Sequence, residues 1–256
     1  MSYVRDLITA LALLSRVRSE TVAISLILIF SLIFGASRQS RAQDAKAQYA
    51  SMAPLDQYLM TDRNGEIALA RSAAPTSISG DATVLVFEKT GYETAVEGKN
   101  GFTCLVERAW MSPFDSPQFW NPKMRGPICY NPAAVRTILP YTINRSKLVL
   151  TGLSKEQLRE NITTAVAKGE LPTPEAGAMS YMMSKDGNLG DSVGPWRPHL
   201  MFHVPKTDSA SWGADLAGSP VLYNDENRDV PEPEIIFMVP VFYWSDGTAA
   251  PHQTFD

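Results

Sequence analysis

The chain has 256 residues, 45% hydrophobic and 20% charged. That composition excludes a disordered or fibrous protein and supplies a core that needs no staple of several disulfides. The formal charge is −4, and residues 1–42 hold five arginines against Asp6 and Glu20, so the remainder stands near −7. Such an acidic domain repels phosphate backbones and anionic headgroups, which argues against nucleic acid as a partner.

Arg16 and Arg18 precede an apolar stretch over 21–36. A bilayer-spanning helix needs about 20 apolar residues, so this shorter stretch reads as the core of a signal peptide covering 1–42. Ser40-Arg41-Ala42 offers small residues for cleavage after Ala42. An uncleaved anchor is the alternative, kept open by the apolar run 7–14 and by Arg38 and Arg41 beyond the core. Either way the expectation is an exported protein, periplasmic or extracellular, with no stable membrane span once the signal is removed. Cys104 and Cys129 are its two cysteines. In an oxidising compartment such a pair closes, for a stabilisation of roughly 3 kcal/mol.

Residues 43–53 are small and polar, a flexible lead-in to a single domain over 54–256. After Pro54, Leu55, Tyr58, Leu59, Ile67 and Leu69 recur near the helical period, with Asn64-Gly65 as the break between two short helices. Residues 83–87 are β-branched and apolar, and 92–96 and 102–110 alternate. Lys89-Thr90-Gly91 and Gly98-Lys99-Asn100-Gly101 separate them, which predicts three antiparallel strands in a meander. The five prolines of 112–132 predict an ordered loop pinned by the disulfide.

Asn131-Pro132 predicts an N-cap and a helix over 133–139. Ser154, with Gln157 three residues on, predicts a capping box. The helix it opens buries Leu158, Ile162, Ala165 and Val166 and stops at Lys168-Gly169. Strands are expected at 178–184, 199–204 and 235–244, with Pro240 marking the last as an edge strand or a bulge. Residues 206–234 read as an irregular surface excursion. The fold class is therefore α+β: antiparallel strands in an N-terminal meander and a C-terminal hairpin plus edge strand, with three to four helices.

His199-Leu200-Met201-Phe202-His203 lies between prolines and alternates, so it predicts a strand. At ~3.3 Å per residue the imidazoles stand about 13 Å apart, too far to share one metal. No metal and no cofactor is expected, and His252 sits in a tail. If 178–184 pairs with 199–204, the polar faces coincide, Ser184 near His199 and Ser180 near His203. The loop between them, 185–198, holds Gly187, Gly190 and Gly194 together with Asp191, Trp196 and Arg197. Glycine-rich loops on a rigid hairpin suit binding. Asp191, Trp196 and Arg197 are thus the candidate ligand-binding residues, and Ser180, Ser184, His199 and His203 the candidate catalytic ones. The plain alternative is a polar sheet face turned to water.

No G-x-S-x-G elbow, P-loop, dinucleotide fingerprint or calcium loop occurs. Lys89-Thr90-Gly91 and Ser245-Asp246-Gly247 match fragments of penicillin-recognising enzymes, but in inverted order and without Ser-x-x-Lys; both read as turns. At Asn100-Gly101-Phe102-Thr103-Cys104-Leu105-Val106-Glu107-Arg108, Ala178-Met179-Ser180-Tyr181-Met182-Met183-Ser184 and Trp244-Ser245-Asp246-Gly247-Thr248, the chain resembles a group of uncharacterised exported bacterial proteins. The resemblance covers most of the domain and implies export, with no activity or site residues to carry over. The expectation is an exported soluble domain that binds a small molecule or cell-envelope component through the 185–198 loop. The alternatives are a secreted hydrolase on the 178–204 hairpin and a purely structural envelope protein.

Overall fold

The computed structural model describes residues 49–191, 197–207, 209–223 and 230–251. The expected signal segment 1–42, the lead-in as far as residue 48, Trp196 and His252 lie outside the described residues. From Tyr49 on, the stretch read as a lead-in is packed: Tyr49, Met52 and Ala53 touch the main hydrophobic cluster.

One turn of 3-10 helix, Leu55–Gln57, follows Pro54, and α1, Arg63–Arg71, follows Asp62. The break falls before Asn64-Gly65, because Tyr58 is drawn into the core, where its hydroxyl donates to Trp120 O at 2.7 Å. After the short α2, Thr76–Ser79, β1 (Thr83–Glu88) and β2 (Gly91–Val96) form the expected hairpin. Gly91 closes the turn at φ +117°.

The meander stops there. β3, Thr103–Glu107, lies on the other side of β1 and runs parallel to it, Thr83 beside Thr103. Segment 97–102 is a strap across the start of β1 rather than a hairpin turn. Lys99 N donates to Asp81 O and Thr83 N to Phe102 O, both at 2.9 Å, and Gly98 N donates to Thr83 Oγ1 at 3.0 Å. A Cβ on Gly98 would stand 2.1 Å from Thr83 N, so only glycine allows the backbones to cross this closely.

β4, Gly126–Tyr130, occupies part of the expected proline-rich loop. It pairs with β3 so that Cys104 and Cys129 are direct partners, and their disulfide joins the two strands. Pro127 is tolerated because the next strand pairs only with Cys129 and Tyr130, leaving no ladder donor due at 127 on that side. Asn131 caps α3, Pro132–Thr137, accepting from Ala134 N at 2.9 Å. α4, Leu139–Leu150, was not anticipated. α5, Lys155–Ala167, carries the expected capping box and buries Leu158 and Ile162. The described residues thus hold five α-helices rather than three or four.

β5 (Met179–Met182), β6 (His199–Pro205), β7 (Leu222–Tyr223) and β8 (Glu234–Pro240) complete one eight-stranded sheet. Its order is β2-β1-β3-β4-β5-β6-β8-β7, antiparallel except for β1 with β3. β8 is one place in from the edge, because the two-residue β7, lying inside the expected excursion, pairs with it at Phe237 and Met238. Pro240 ends β8 opposite His199. α1 covers one face of the sheet, packing on the disulfide, Val84 and Val106. The other face carries the larger cluster, including Leu105, Ile128, Met182 and Met201, beneath Tyr141 and Val149 of α4 and Leu158 of α5. Among the described residues no helix is long and apolar enough to cross a membrane.

Candidate functional site

Strand alternation sends every second residue of β3, β4, β5, β6 and β8 toward the helices. The packing there is incomplete and leaves a cavity of about 600 Å³, within the usual range for small-molecule sites. Its body is apolar, with Met111, Met124, Met182, Met201 and Met238 on the wall. Unbranched thioethers adapt to varied ligand shapes.

A polar cluster stands where α4 faces the strands. Glu107, the last residue of β3, accepts hydrogen bonds from Tyr130 Oη at 2.6 Å and Thr142 Oγ1 at 3.2 Å. Burial pushes its carboxyl above the ordinary value, opposed by those hydroxyls and by the nearby His203. Burial, and then the Glu107 charge, hold the Tyr130 phenol well above its own ordinary value. One helical turn beyond Thr142, Arg145 pairs with Glu232, Nε to Oε1 at 2.5 Å and Nη2 to Oε2 at 2.7 Å. Its Nη1 donates to Trp110 O and Ser112 O at 3.0 and 3.1 Å. Burial works against this guanidinium, and the carboxylate more than restores its charge.

His203 joins the cluster from β6. Its Nδ1 donates to Glu234 Oε2 at 2.8 Å, and its Nε2 shares a 2.9 Å hydrogen bond with Ser180 Oγ. Ser180, His203 and Glu234 thus stand in the order of a hydrolytic triad. The register differs by two residues from the expected one, with Ser180 opposite Met201 and Met182 opposite His199. Face parity is unchanged, so Ser180 reaches His203 diagonally. The face is turned to the interior rather than to water: Ser180 is 0% exposed and His203 2%. His203, Glu234 and Met182 line the cavity, whereas Ser180 does not.

The other expected residues are spread more widely. His199 lines the cavity; its Nδ1 donates to Arg197 O at 2.7 Å, and burial lowers its pKa. Ser184, two residues past the end of β5, shares a 2.7 Å hydrogen bond with Ser72. Asp191 acts as a clamp. It accepts from Tyr49 Oη at 2.6 Å, and its backbone N donates to Gln118 Oε1 at 3.3 Å. Burial, and then the bond to Asp191, raise the Tyr49 phenol to about 12. Gly190 lets this loop lie against Gln118: its φ is +123°, and a Cβ would meet Gln118 Oε1 at 2.7 Å. From the 185–198 loop, Leu189 reaches the cavity wall, while Asp191 and the exposed Arg197 do not line it.

Glu107, Tyr130, Thr142, Arg145, Glu232 and Glu234 were not singled out from the sequence. Glu107 had a legible signal, since in an alternating strand it falls on the same side as Leu105. Glu232 and Glu234 sit among prolines in the supposed excursion, and nothing local points them inward. Among the described residues no three His, Cys, Asp or Glu side chains gather to hold a metal. No protein-family model, curated protein or solved structure matches the chain.

Proposed function

We propose that the protein is an exported binding module whose ligand is a small, largely apolar molecule held in the cavity between the sheet and α4. The single observation that carries this reading is the 600 Å³ cavity with its methionine-rich body and buried polar cluster. Protein interiors leave few spaces this large, and concave, mostly apolar pockets of this volume with a few convergent polar groups are where small molecules bind. The signal-like segment 1–42 and the Cys104–Cys129 disulfide support export. In this reading the 185–198 loop contributes Leu189 to the wall of the pocket, beside His199 at the start of β6, rather than forming a binding surface of its own.

The test uses Nile red, a neutral apolar dye, titrated into the full chain. One dye per chain is expected, with blue-shifted emission. Met238→Trp, which fills the cavity from β8, should abolish the shift while the fold is retained by circular dichroism. An unchanged dye spectrum with the wild type, or equal binding by the filled variant, overturns the reading.

A second reading, a hydrolase using Ser180, His203 and Glu234, is favoured by the 2.9 and 2.8 Å contacts between them. Against it, Ser180 has no accessible surface and sits mid-strand between β4 and β6, where backbone amides are spent on the ladder rather than free for an oxyanion. A fluorophosphonate probe that labels Ser180 in the folded protein would put hydrolysis first.

A further inference from the structure

Which head group the cavity takes follows from how its charges are spent, an inference that rests on the binding reading above. Two guanidiniums line the wall, and both are committed. Arg145 is held by Glu232 and two carbonyls. Arg108 donates Nε to Tyr58 O at 2.8 Å, Nη1 to Val106 O and Nη2 to Glu66 Oε1 at 2.8 Å. His203 uses both ring nitrogens inside the wall. An entering anion would have to break a guanidinium from its own carboxylate and leave that carboxylate buried and unpaired.

The acidic side differs. Glu107 Oε1 takes both of that residue's hydrogen bonds, and Glu234 Oε2 takes the one from His203. No donor among the described residues reaches Glu107 Oε2 or Glu234 Oε1. Both residues line the cavity, although Glu234 is only 8% exposed. The Tyr130 and Tyr141 side chains share that wall, and aromatic faces attract cations.

We propose that the cavity selects an organic cation: an apolar molecule carrying one ammonium or amidinium head, held by Glu107 and Glu234, with its body along the methionines. The two open carboxylate oxygens accept the head's N–H groups, and the uncommitted negative charge is met without dismantling either arginine pair.

Isothermal titration of the full chain at pH 7 with decylamine, 1-decanol and decanoate tests this at constant chain length. Decylamine should bind at least roughly tenfold tighter than decanol, with decanoate weakest. Glu234→Gln and Glu107→Gln should each bring the amine close to the alcohol. Glutamine at 234 still accepts from His203, and if that variant fails to fold, Glu107→Gln decides alone. Decanol or decanoate binding as tightly as the amine, or an amine preference that survives both substitutions, overturns the proposal. If Nile red enters while the amine shows no preference, the charge inference fails and the binding reading stands. If neither dye nor any decyl compound binds, both fall.

Discussion

Glu107 and His199 face the same cavity, and burial disfavours the charged form of each, so their pKa values move in opposite directions. The Glu107 carboxyl is raised above the ordinary 4.5 by burial, so in the folded protein its charged form is disfavoured. The associated stability is fully present below about 4.5 and is lost as pH rises through the folded value. Glu107→Gln keeps an acceptor for Tyr130 and Thr142 but cannot ionise. Its melting temperature should exceed the wild type's at pH 7, and the two should converge below pH 4.5; a variant less stable at pH 7 would contradict this. The His199 imidazole is lowered from 6.5, so its contribution is present above 6.5 and lost as pH falls. His199→Gln should therefore flatten the acid side of the melting curve below 6.5. A site residue that weakens the fold at working pH fits selection for ligand contact over stability.

At the scale of elements, the strap over β1 and the β3–β4 disulfide set strand order. Gly98→Ala drives a Cβ into the backbone of residues 81–83, and no side chain there can move aside to relieve it. The variant should lose about 2 kcal/mol or more in urea unfolding. Ser154→Ala, which removes one half of the α5 capping box, should lose only about 1 kcal/mol. If the two losses were equal, the crossing would not be the tight point described. Reducing Cys104–Cys129 frees the loop of sequence separation 25 that it closes, and should lower stability by roughly 3 kcal/mol with the secondary structure intact. Denaturant titrations with and without reductant measure that directly.

For the whole molecule, the export reading predicts that the mature chain begins at Gln43, after the small residues Ser40 and Ala42. N-terminal sequencing of the protein recovered from its producing cells checks it; an intact Met1 in the membrane fraction would replace the signal with an anchor. Local chemistry was enough to read the α+β class, the β1–β2 hairpin, the caps at Asn131 and Ser154, and the face shared by Ser180 and His203. Each depends on neighbours in the chain or on the two-residue period of a strand. Strand order was not legible, because the same Gly-Lys-Asn-Gly string suits a hairpin turn and a strap, and what Gly98 touches settles which it is. The site was half legible for the same reason. Ser180, His199 and His203 announce themselves along one hairpin, but Glu107, Arg145, Glu232 and Glu234 arrive from β3, α4 and the approach to β8. Their burial, their pairing and the cavity between them exist only once distant segments are packed together. No local pattern encodes which charges will find partners and which carboxylate oxygens will be left open.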